Sequence, residues 1–164
     1  IDPGLQKTGW GLILCEGSSI SYRACGVIKA NTSSPLPDRL AFIHHELFKI
    51  VDQFKPQSAA VEETFVNKNP ASALKLGQAR GVALSVPAIL GVPVHEYTAN
   101  QVKKALVGKG HAAKQQIGMM VSVLLPGCRQ EDRIPGEDEM DALAVAICHA
   151  HHAPSRALQK RIKA

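Results

Sequence analysis

Apolar residues alternate with polar ones, or recur every three to four positions, along most of the chain. Residues 9–14 and 20–29 are strand-like runs separated by a turn-forming Gly-Ser cluster, which predicts a β-hairpin. Over residues 37–54 the apolar positions follow the 3.6-residue period of an amphipathic helix. The first third of the chain is therefore predicted to form an antiparallel strand pair followed by a helix.

The remainder alternates between short apolar runs and helical patterns. Residues 58–66 predict a strand, and from residue 71 a helix rich in small residues runs to Pro87, where proline should kink or end it. A short strand over 93–97 follows. Three more helices are then predicted, over residues 99–107, 112–125 and 138–152. This order predicts an α/β fold with a mixed sheet, in which a hairpin comes first and crossover units follow.

Composition narrows the class of protein. The chain has 164 residues and 45% hydrophobic residues, which fits one globular domain, and its net charge of +5 favours a polyanionic partner. We detect no signal peptide and no apolar run long enough to cross a membrane. The four cysteines show no metal-binding spacing, so we expect reduced thiols in a cytoplasmic protein; they are Cys15, Cys25, Cys128 and Cys148.

Four carboxylates stand at the ends of predicted core elements of this basic chain: Asp2, Glu62, Asp138 and Asp141. Acid at such positions is costly unless a positive group meets it. Two strand carboxylates and a helical pair could converge on a hard divalent cation such as Mg²⁺, which prefers oxygen ligands. A basic protein with such a cluster is a candidate for metal-assisted hydrolysis of nucleic acid.

Each of these acids also has a plain structural interpretation. Asp2 precedes Pro-Gly and could be a turn residue, and acids in a first helical turn are favoured by the helix dipole alone. Glu62 and Glu63 point to opposite faces of their strand, and alternation does not decide which one is buried. The spacing alone therefore leaves the membership of the cluster open.

Several motifs nevertheless occur together and in order along nearly the whole chain. They are IDPG-x3-TG-x-G at the start, A-V-E-x-x-F, SALKLGQARG, E-Y-x-x-x-Q-V-K and D-x-x-DALA-x-A-x-x-H. This set resembles the bacterial RuvC Holliday-junction resolvases, the crossover junction endodeoxyribonucleases. The resemblance implies a ribonuclease H-like fold, a mixed five-stranded sheet flanked by helices, with the acidic tetrad on Asp2, Glu62, Asp138 and Asp141.

The resemblance also implies the chemistry and its partners. It implies Mg²⁺, two ions per site with Mn²⁺ as a substitute, and paired nicks in opposing strands of a four-way DNA junction during recombination and repair. The products would carry 5′-phosphate and 3′-hydroxyl ends. A homodimer is implied, with the helix from residue 71 at its interface, as are branch-migration motor partners of the RuvA and RuvB type.

Further site residues are implied or suggested by their position. Lys103 and Lys114 match lysines of the family's catalytic region and would neutralise charge on the scissile phosphate. Phe65 matches an aromatic residue near the junction centre, where it could stack on an unpaired base. The remaining candidate DNA contacts are polar or basic residues near it or in and before the glycine-punctuated loop: Asn67, Lys68, Lys104, Lys109 and His111.

We expect residues 1–153 to form the nuclease domain and residues 154–164 to form a basic C-terminal tail. Because Ile1 reads as the end of a strand, we also expect the first strand to be truncated in this chain. Two other functions compete with the nuclease. The first motif also resembles the first phosphate loop of actin-like ATPases, which need further glycine-rich loops, and a junction-binding protein with an inactive site is the third possibility.

Overall fold

We describe the fold from a computed structural model, which covers residues 1–63, 70–110, 112–129 and 133–162. The elements follow the predicted α/β order. The strands are β1 Lys7–Glu16, β2 Ser19–Lys29, β3 Ala59–Glu63 and β4 Val94–Thr98. The helices are α1 Leu36–Phe54, α2 Pro70–Ile89, α3 Ala99–Val107, α4 Lys114–Leu124 and α5 Glu137–Ile162, and a 3-10 turn spans Pro126–Cys128.

The strands form two pairs among the described residues. β1 and β2 are antiparallel, whereas β3 and β4 are parallel and joined through α2. The predicted five-stranded sheet is not seen as one sheet among these residues. Ile1 donates from its nitrogen to the Ala60 carbonyl at 2.7 Å, and Asp2 pairs with Gly9 of β1. The first two residues therefore bridge the hairpin to the parallel pair.

Two apolar clusters hold the layers together. One surrounds the first half of α5, where Leu143 and Ile147 are fully buried against Tyr97 of β4 and Val121 of α4. The other lies between α1, α2 and β3 and includes Ile43, Leu47, Val61 and Val86. Helix α5 is thus packed into the core, and the predicted acids Asp138 and Asp141 lie half-buried at the edge of that packed face.

Three helix boundaries differ from the sequence prediction. Helix α2 continues past Pro87 to Ile89, because a proline near the last turn interrupts few backbone hydrogen bonds. Helix α4 begins at Lys114, two residues later than predicted. Helix α5 continues to Ile162, so the basic segment 154–164 is helical over its described part; its Ala, Leu, Gln, Lys and Arg residues are strong helix formers.

Candidate active site

The turn after Asp2 places this carboxylate beside β1. The Thr8 hydroxyl is buried and donates to the Gly4 carbonyl oxygen at 2.8 Å, which closes the loop. The Asp2 nitrogen donates to the Gly9 carbonyl oxygen, and the Gly9 nitrogen donates to the Asp2 carbonyl oxygen, both at 2.9 Å. The backbone of Asp2 is therefore fixed from both directions.

Two glycines of β1 let helix α5 pack directly on the strand. A Cβ atom built on Gly9 would lie 2.0 Å from the carbonyl oxygen of Asp138, and one on Gly11 would lie 2.7 Å from Cδ2 of Leu143. No side chain fits at either position without displacing the helix. We call this contact the glycine seam. It explains two glycines of the first motif, Gly9 and Gly11, and brings the start of α5 next to Asp2.

Glu62 reaches the same place from β3. Its nitrogen donates to the Ile1 carbonyl oxygen at 3.0 Å, so Asp2 and Glu62 leave neighbouring strands at one level. Glu62 is half-buried and Glu63 is exposed. The structure thus resolves the alternative that alternation left open, in favour of Glu62.

The two strand carboxylates carry negative charge in a poorly solvated place. Burial, and then the charges of Glu62 and Asp141, raise the pKa of Asp2 to about 7. Burial, and then Asp141, also raise the pKa of Glu62, while the positive charge on the Ile1 nitrogen and then a hydrogen bond with Asp2 oppose the shift. Such a pair shares a proton near neutral pH unless a cation neutralises it.

The two helical carboxylates are instead paired with lysines. Lys114 Nζ lies 3.1 Å from Asp141 Oδ2 and 3.1 Å from Glu137 Oε2, and Lys7 Nζ lies 3.7 Å from Asp138 Oδ2. The hydrogen bonds to Glu137 and then to Asp141 raise the pKa of Lys114 to about 12. Sequence reasoning missed Lys7 and Glu137, because neither stands out until the fold places it beside the acids.

A pocket of about 240 Å³ opens beside the cluster, and its charged lining consists of Glu62, Lys103, Lys114 and Asp141. Apolar residues of α3, α4 and α5 complete its wall. The structure thus brings both predicted lysines to two of the predicted acids. A larger cavity of about 820 Å³ lies between β1, the end of α1 and β3, and its lining includes none of the four acids.

The donor set suits a hard divalent cation. Carboxylate oxygens are the ligands that Mg²⁺ prefers, and the raised pKa values of Asp2 and Glu62 show that nearby positive charge does not balance them. Within the described ranges, no three His, Cys, Asp or Glu side chains already stand in an arrangement that could hold a metal ion.

Glu139 of α5 holds the start of the helix in another way. Its carboxylate forms an ion pair with Arg133 and accepts a hydrogen bond from the Gly136 nitrogen at 2.6 Å. Arg133 also donates to the Cys25 carbonyl oxygen of β2 at 3.2 Å. This contact anchors the loop before α5 to the hairpin, and sequence spacing gave no sign of it.

Only some of the other predicted DNA-contact residues lie within the described part of the chain. Lys104 and Lys109 are exposed, at the end of α3 and just after it. Phe65, Asn67, Lys68 and His111 lie outside the described residues. Arg80 of α2 pairs with Glu96 of β4 within the chain.

His149, midway along α5, forms hydrogen bonds to other elements. It hydrogen-bonds Ser58 Oγ at 2.8 Å and the Tyr97 hydroxyl at 2.9 Å. These contacts tie α5 to β4 and to the residue before β3.

Comparison with known proteins decides the family. Residues 1–149 match the family model described as crossover junction endodeoxyribonuclease RuvC. The chain belongs to this RuvC family. A RuvC relative from Xanthobacter autotrophicus is 54% identical over 152 residues, which cover 93% of this chain and 88% of the relative. The predicted family membership is confirmed.

Solved RuvC structures support the same family assignment. The structure of Thermus thermophilus RuvC has a TM-score of 0.82 and 34% identity, covering 94% of this chain and 93% of that one. The same RuvC in complex with a Holliday junction substrate has a TM-score of 0.83 and 35% identity, covering 93% and 91%. Within the described residues, no helix is both long and apolar enough to cross a membrane.

Proposed function

We propose that this member of the RuvC family resolves four-way DNA junctions by Mg²⁺-dependent hydrolysis of one phosphodiester in each of two opposing strands. The observation that carries the proposal is the convergence of Asp2 and Glu62, with raised pKa values, on the paired acids of α5. The solved relative in complex with a Holliday junction substrate supports the choice of DNA substrate. An actin-like ATPase would not account for that relative.

Each charged residue of the site has a role in this proposal. The carboxylates of Asp2, Glu62, Asp138 and Asp141 would hold Mg²⁺, two ions per site, with Mn²⁺ as an acceptable substitute because it also takes oxygen ligands. When bound, the metal supplies an activated water and stabilises the leaving oxygen, which gives 5′-phosphate and 3′-hydroxyl ends.

The lysines of the pocket act on the substrate directly. Lys103 and Lys114 line the 240 Å³ pocket together with Glu62 and Asp141, so a phosphate seated there would meet two ammonium groups. Positive charge that is already in position stabilises the negative charge that develops on the phosphate oxygens during hydrolysis. Glu137 holds Lys114 beside Asp141 until the phosphate arrives.

A four-way junction presents two equivalent DNA strands to be cut, so two active sites are needed. A two-fold homodimer provides them. Helix α2 is the proposed interface, because its described surface exposes Leu74 and Ile89 at 73% and 68%. RuvA- and RuvB-type motor proteins are the proposed partners, in the cytoplasm. We further propose that Ile1 and Asp2 belong to the central strand of a mixed five-stranded sheet, with residues 1–153 as the nuclease domain and 154–164 as a basic extension.

The test is a synthetic mobile four-way junction incubated with Mg²⁺. The wild type should give paired nicks in opposing strands, and Asp141→Asn should bind the junction without nicking it. Asp52→Asn, an exposed acid on α1, is the matched control and should cut like the wild type. Equal nicking by Asp141→Asn would refute the proposed metal site, and a wild type that binds the junction but never cuts it would support the inactive-site alternative.

A further inference from the structure

The start of the hairpin carries a charge arrangement that the proposed chemistry has not used. The β1–β2 register puts Lys7 directly opposite Lys29, and both residues are exposed. Like charges at directly opposed strand positions destabilise a sheet. Such a pair is tolerated at little cost where a polyanion binds over it.

The position of Lys7 ties this pair to the active site. Lys7 Nζ lies 3.7 Å from Asp138 Oδ2, at the end of the acidic cluster formed by the start of α5. Lys103 and Lys114 line the pocket at the other end, beside Glu62 and Asp141. Lysines therefore flank the acids from two directions, as a strand crossing the cluster would require.

The charge balance differs between the two ends. Lys114 lies 3.1 Å from each of two carboxylates, Glu137 and Asp141, which together outnumber it. At the other end Lys7 has one carboxylate, Asp138, at the longer distance of 3.7 Å, and Lys29 lies opposite Lys7 in the strand pair. An exposed ion pair of that length contributes little to stability, so Asp138 alone gives no reason for two lysines there.

We propose that Lys7, supported by Lys29, forms a second phosphate-binding site that holds a backbone phosphate of the strand being cut, next to the scissile one. This inference rests on the proposed function. Lys7 would exchange Asp138 for a phosphate oxygen when DNA is bound. It positions the substrate, and it leaves Asp138 available for the metal.

The test measures junction binding in EDTA, where no strand is cut. Lys7→Gln should weaken binding about five- to tenfold at 0.1 M salt. It should also make the fall of log K with log salt concentration less steep by about one unit, the effect of losing one phosphate contact. Lys7→Arg should retain both values. Lys49→Gln is the matched control, because Lys49 is 57% exposed and pairs with Glu46, as Lys7 is 58% exposed and pairs with Asp138.

Lys29→Gln is an independent test, because it leaves the Lys7–Asp138 pair intact. It should also make the fall of log K with log salt concentration less steep. If Lys7→Gln and Lys29→Gln both match Lys49→Gln in affinity and slope, the second phosphate site is refuted, while junction cutting by the wild type would leave the proposed function standing. A role confined to orienting Asp138 would change cleavage with Mg²⁺ but not the salt slope in EDTA. Thermal midpoints of each variant verify folding.

Discussion

Asp2 and Glu62, which we call the strand half of the acidic cluster, differ from Asp138 and Asp141, the helix half, in what compensates their charge. The strand half is fixed by backbone hydrogen bonds between β1, Ile1 and β3, and burial raises both of its pKa values. The helix half sits on the first turn of α5, where Lys7 and Lys114 neutralise it.

The difference between the two halves indicates which carboxylates would gain most from a bound cation. Carboxylates that are already paired with lysine gain less from a metal, whereas a buried and unbalanced pair gains the whole attraction. In the proposed site, the strand half would therefore supply most of the attraction for Mg²⁺, and the helix half would complete the ligand set by exchanging its lysines. Three experiments would break or sharpen this division.

The largest effect is expected for Glu62→Gln, which removes one carboxylate of the strand half. A loss of about 3–4 kcal/mol in transition-state stabilisation corresponds to a cleavage rate about 10²–10³-fold lower. The neighbouring Glu63→Gln is the control, because Glu63 is exposed on the same strand and should cut normally. Single-turnover cleavage of a junction with Mg²⁺ measures both, and a change below fivefold for Glu62→Gln would contradict the division.

An effect on stability is expected where the two halves meet, at the glycine seam. Gly9→Ala would put a Cβ 2.0 Å from the Asp138 carbonyl oxygen, so α5 must move, and we expect the free energy of unfolding to fall by about 3 kcal/mol. Gly118→Ala in α4 is the control, since a Cβ there meets nothing within 4 Å and should stabilise the helix by about 0.5–1 kcal/mol. Urea unfolding measures both, and equal stabilities would show that the seam can relax.

The third expected effect is a pH dependence of the metal-free protein. Because the pKa of Asp2 rises from 3.8 in its ordinary state to about 7, the folded protein holds a proton that the unfolded chain has released between these values. Stability should therefore fall as pH increases from about 4 to 7, by at most about 1.4 kcal/mol per pH unit for one proton.

Thermal midpoints in EDTA across this pH range give the measurement. Asp2→Asn should make the slope clearly smaller and leave the contribution of Glu62, whose pKa is also raised by burial. Asp138→Asn should keep most of the slope, because Asp138 is the weakest of the carboxylates that act on Asp2. An unchanged slope in Asp2→Asn would assign the effect to another group.

Sequence predicted the elements well where a local period marks them. The amphipathic period predicted α1, and the structure confirms this helix. The start of α3 is marked just as locally, by a capping box of Thr98 and Gln101. Helix ends were less predictable: α5 continues ten residues past residue 152, since good helix formers outweigh one proline.

The site was predictable only in part, for a physical reason. Convergence of Asp2, Glu62 and Asp141 could be proposed from their positions at the ends of elements, and the structure brings them within electrostatic reach. Lys7 and Glu137 could not be selected, because a charged surface side chain acquires a role only through a neighbour distant in sequence. The glycine seam was hidden for the same reason, although its glycines were already visible in the motif.

The glycine seam has a consequence for protein engineering. Grafting this nuclease centre onto another scaffold by copying its acids and lysines alone would fail, because the strand and helix could not approach closely enough. The host scaffold must also have glycine at the two positions that correspond to Gly9 and Gly11. In this protein, empty space at two backbone positions is as much a part of the catalytic design as the charged groups that surround it.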